Sequence, residues 1–144
     1  MRRWIEWILA LVGAAICSVD AAFYWKYIPG PGTQHWPLSA FPLVEIAALG
    51  WLAAAGIALD LRPRTTLFAA LPWVAAGALS PYILLAALSF GPLLIPAVIM
   101  FCAAGLLANR RLKRDALPDL TLFSVGAVAN LIVILEVVKA IGGI

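Results

Sequence analysis

Apolar positions in this chain come as long unbroken runs, not as an alternation, and short stretches rich in Arg, Pro or Gly punctuate them. A bilayer-crossing helix needs about 20 apolar residues. The first run, 5–27, has that length. Trp4 and Trp7 lie at one end of it, and Phe23, Tyr24, Trp25 and Tyr27 at the other, as in an aromatic belt. A turn-forming segment rich in Pro and Gly, 28–37, separates it from a second run at 41–59. Residues 66–108 then carry no charged side chain. That is twice what one crossing requires, which predicts a helical hairpin. Ser89-Phe90-Gly91-Pro92 is the turn, because Gly permits the bend and Pro suits the first position of a new helix. The third span is then 67–88 and the fourth 92–108. A basic loop, 109–119, ends in Pro118 and Asp119, residues that start helices, and a fifth span covers 120–141.

Composition supports lipid as the solvent. Of 144 residues, 65% are hydrophobic and 12% charged, and mean hydropathy is +1.03. A soluble domain is about a quarter charged. The sequence pI near 9.2 does not indicate a nucleic-acid partner, because the basic residues flank apolar spans and form no continuous stripe.

Charge fixes an orientation. Arg2, Arg3, Arg62, Arg64, Arg110, Arg111, Lys113 and Arg114 fall in three clusters between spans, and the remaining bases are Lys26 and Lys139. The positive-inside rule places the three clusters in the cytoplasm. The expectation is an all-α integral membrane protein of one domain, 1–144. It is a five-transmembrane-helix bundle with the N-terminus inside and the C-terminus outside, in a bacterial inner membrane. The first run outlasts a cleaved signal segment, and bulky Ile16 before Cys17 argues against a lipidated cysteine.

Catalytic patterns are scarce. The single histidine, His35, lies in the outer loop, so a transmembrane haem ligand is missing. No zinc-protease, paired-cysteine, serine-elbow or phosphate-loop motif occurs. Neither an enzyme nor a cofactor is therefore expected. Cys17 and Cys102 lie at different depths and read as small packing residues.

The informative polar residues are embedded. Asp20, Glu45 and Glu136 all fall in the outer part of the bilayer, with Lys26 and Lys139 at the same level. Glu136 and Lys139 share a helix face. Two readings compete: an outward-facing proton or cation site, or an ion-paired network that fixes packing. Gly126 and Asn130 form a packing seam on the last span, as do Gly13, Cys17 and Asp20 on the first. Glu6, a turn from Arg2 and Arg3, reads as solvated or paired. Pro72 and Pro81 interrupt the third span and kink it. Trp51 and Trp73, deep in their spans, are core, or pack against a lipid, a pigment, a quinone or a neighbouring subunit. The functional expectation is an accessory, non-catalytic subunit of a larger membrane complex, of the kind that respiratory and photosynthetic assemblies recruit. The alternative is a small proton- or cation-coupled transporter or channel.

Overall fold

A computed structural model describes residues 2–26, 40–59, 68–85, 91–113 and 117–142. Their fold is helical: α1 (Arg2–Trp25), α2 (Phe41–Leu59), α3 (Leu71–Leu85), α4 (Ile95–Leu112) and α5 (Leu117–Gly142). Short 3-10 turns at Phe68–Ala70 and Gly91–Leu94 lead into α3 and α4. The Pro- and Gly-rich segment with His35, the Arg62–Arg64 cluster, and Ser89 and Phe90 of the expected turn lie outside the described residues.

The packing has a simple plan. α1 and α3 each pack on both α2 and α4, which closes a four-helix ring, and α5 packs against α3. Contacts along each seam give the direction. Glu6 meets Arg111 and Gly13 meets Phe101, so α1 and α4 run antiparallel. Gly126 abuts Val74, and Asn130 bonds to Ala78, so α5 runs parallel to α3. Neighbours in the ring alternate up and down, as short connections require.

The α1 pattern explains its place. Glu6, Ala10, Gly13 and Cys17 are buried at alternating spacings of four and three, and half-buried Asp20 and Tyr24 continue the row. Such spacing keeps one face of a helix toward its neighbours. The core beside it holds Cys17, Ile46, Leu79, Leu94, Ala97 and Phe101, with a second cluster around Ala10, Ala14, Ala54, Ile57, Ala104 and Ala108. Small residues dominate the second cluster, so helix backbones approach closely there.

Some expectations are met only in part. Four helices are long and apolar enough to cross a membrane. α3, with 15 residues, rises only ~22 Å at ~1.5 Å per residue. Pro72 does not interrupt it. It sits in the first turn of α3, where the absent N–H has no intrahelical role. Pro81 does lie inside α3. Pro96 likewise falls in the opening turn of α4. The basic loop is shorter than expected, because α4 continues to Leu112 and carries Arg110 and Arg111 in its last turn. Cations are favoured at that end of the helix dipole. Lys113 then ends the helix at φ 52° and donates its N–H to the Asn109 carbonyl, a left-handed cap. Pro118 and Asp119 open α5 as expected.

Candidate functional site

Polar side chains that join one helix to another lie toward both ends of the ring. The layer that holds Glu6 is the one the sequence discloses least. Glu6 is 1% exposed and takes the Arg111 Nε on both carboxylate oxygens, at 3.1 and 3.2 Å. Its partner is thus on α4, and it is not solvated. Alongside, the Asn109 amide donates to the Asp119 carboxylate, tying α4 to α5, and both residues are buried. Asn109 Oδ1 and the indole nitrogens of Trp7 and Trp73 are buried without partners. Nothing in the spacing of Glu6 and Arg111 signals their pairing. What they share is an end of the ring, Glu6 early in α1 and Arg111 in the last turn of α4.

The opposite layer contains Asp20 and Glu45. Asp20 stands on the bundle-facing row of α1, half-buried, and its Oδ2 is buried with no hydrogen-bond partner. Glu45, on α2, accepts a hydrogen bond from the Tyr82 hydroxyl of α3. Asn130 of α5 flanks that hydroxyl and donates its amide to the Ala78 carbonyl. Glu45, Tyr82 and Asn130 therefore link α2, α3 and α5. The sequence carries no signal of this role for Tyr82, because an apolar run conceals a phenol.

The expected cluster of Asp20, Lys26, Glu45, Glu136 and Lys139 is divided by this arrangement. Lys26 is exposed in the turn after α1. Glu136 and Lys139 pair at 2.9 Å on the surface of α5, with side chains 66% and 61% exposed. Among the described residues, the ion pairs are Glu6–Arg111 and Glu136–Lys139; neither includes Asp20 or Glu45.

The seam residues sit at close approaches. A Cβ on Gly13 would lie 2.6 Å from the Phe101 ring, and one on Gly126 would lie 2.6 Å from the Val74 carbonyl oxygen. Cys17 packs against Gly50 of α2. The two cysteines are unbonded, Cys17 buried and Cys102 half-buried. Trp51 and Trp73 belong to different seams. Trp51 is 56% exposed on the outer surface of α2 and donates to Ser18 Oγ of α1 at 3.1 Å. The Ser18 hydroxyl donates in turn to the Ala14 carbonyl at 2.9 Å. The Trp73 indole lies over Gly105 of α4.

Between the two layers the core is apolar. Ala14, Cys17, Ala53, Ala75, Phe101 and Ala104 are buried there. Grooves on the surface are shallow and apolar, such as one between α3 and α5 lined by Pro81, Leu84, Val128 and Leu131. Among the described residues no group of three His, Cys, Asp or Glu side chains is placed to hold a metal ion. No family model matches the chain, and neither a curated protein nor a solved structure matches it.

Proposed function

We propose that this chain is an accessory, non-catalytic transmembrane subunit that packs within a larger membrane complex. One observation carries the reading: three pairs of embedded polar side chains bond from helix to helix, Glu6 with Arg111, Asn109 with Asp119, and Glu45 with Tyr82. Groups held in this way fix a packing. The apolar core between the layers supports the same reading, since ion passage needs a polar lining. All five helices cross the bilayer in this proposal, the N-terminus inside. α3 is the shortest, but it runs antiparallel to both α2 and α4 and is covered by them and by α5, so it shares their slab. The inner membrane is the proposed location, and the bases at the Glu6–Arg111 end face the cytoplasm. Blue-native electrophoresis of gently solubilised membranes tests the role. Migration in an assembly larger than a dimer, with other chains, is expected. Migration only as a small homo-oligomer overturns it.

A second reading, an outward-facing proton or cation site, has one observation in its favour: the unpartnered Oδ2 of Asp20. Intramembrane carboxylates mark ion pathways elsewhere. Replacing Asp20 with Asn in reconstituted vesicles decides it. A loss of proton or cation flux supports the site, and unchanged flux removes it.

A further inference from the structure

α5 meets the ring along one narrow row, in which Asp119, Gly126 and Asn130 are buried and Phe123 is half-buried. At 100° per residue the opposite side of the helix carries Thr121, Val125, Val128, Ile132, Leu135 and Lys139, all exposed. Their spacings alternate four and three, the repeat by which two helices pack along a shared seam. Lipid alone suits the apolar members of this row. It does not suit its outer end, where Glu136 and Lys139 form an ion pair more than half exposed on the side of a membrane-crossing helix. Ionisable groups at such depth face a bundle interior, water or a partner.

We infer that this face of α5 is a homodimer interface, and that its occupant is α5 of a second copy of the chain. Two copies inserted in the same sense are related by a two-fold axis along the membrane normal, so the two helices run parallel at matching depth. Each then offers an acid and a base three residues apart, ~4.5 Å along the axis. Helix side chains lean toward the N-terminus, and Lys139, whose side chain is the longer, leans back further than Glu136 and reaches the carboxylate of the other copy. Two separate surface pairs become one closed set of four charges, shielded from lipid. The surface is thus complementary to itself in charge as well as in spacing. The flank formed by α1 and α2 stays outside this interface, so the inference does not depend on the accessory role.

The test uses the full chain in lipid vesicles with Cys17 and Cys102 replaced by Ala. Single cysteines at Val128, Ile132 and Leu135 are oxidised to disulfides, with Val44→Cys on the exposed side of α2 as the reference. Disulfide-linked dimers at the three α5 sites and not at Val44 are expected. Yields no higher than at Val44 overturn the interface. Charge variants supply a readout that a purely in-chain pair would not move. E136K makes the tip wholly basic and K139E makes it wholly acidic, so each variant alone should cross-link less. Mixing the two should restore heterodimers, by roughly fivefold or more over either alone. Mixing without any gain overturns the charge argument.

Discussion

Glu6 and Arg111 stand 105 residues apart in sequence, yet the Arg111 Nε lies within 3.2 Å of both Glu6 carboxylate oxygens. The pair joins the start of α1 to the end of α4 and thereby closes the ring. The two partners differ in surroundings: Glu6 is buried, whereas the Arg111 side chain is 18% exposed.

That asymmetry predicts unequal costs. Arg111→Leu leaves a carboxylate buried without its cation and should destabilise the bundle by about 3–5 kcal/mol. Glu6→Leu should cost less, because the long Arg side chain can reach the interface. The double replacement should lie close to the original protein. Reversible unfolding in mixed micelles measures all three. Equal costs for the two single variants would contradict the assignment.

Gly13 faces Phe101, and a methyl group at Gly13 would press on the ring edge. Gly13→Ala should therefore destabilise by about 1–3 kcal/mol. Phe101→Leu in the same chain should recover part of that loss by removing the ring, although Phe101→Leu alone is itself costly. Thermal unfolding of the four chains reads the coupling, and purely additive effects would count against the contact.

Tyr82 and Glu45 are coupled through one hydrogen bond. Tyr82→Phe removes the donor and should cost about 1–3 kcal/mol. In a double-mutant cycle with Glu45→Leu, a coupling of about 0.5–3 kcal/mol is expected. A coupling near zero would mean that the two side chains act separately.

Gly126 lets α5 lie against α3. Gly126→Val places a branched side chain against the Val74 carbonyl and should push α5 off α3. Cysteines at Ser80 and Ala127, which line one groove between these helices, should cross-link in the original background and lose most of that cross-linking in the variant. An undiminished yield would show that the seam tolerates the side chain.

The sequence reveals the helices well and their partners poorly, for a physical reason. Span length and charge asymmetry are local properties, so the helix at 41–59 and the helix start at Pro118 and Asp119 read directly. Gly126 and Asn130 were also visible as a seam, since a small residue and an amide one turn apart in an apolar run have few other uses. Pairing across the bundle depends on which helices become neighbours, and no run of residues encodes that. Glu6 therefore looked as though its bases were Arg2 and Arg3, and Glu136 seemed to belong with Asp20. At the end of α4 charged residues read as loop, whereas Arg110 and Arg111 complete a helix whose dipole favours them.

The central claim is that this bundle works as a packing subunit among other chains. Extraction of native membranes into lipid nanodiscs, followed by native mass determination, tests it most directly. The account predicts a particle that holds this 15.3 kDa chain together with at least one different polypeptide in fixed ratio. A particle composed only of multiples of 15.3 kDa would contradict it.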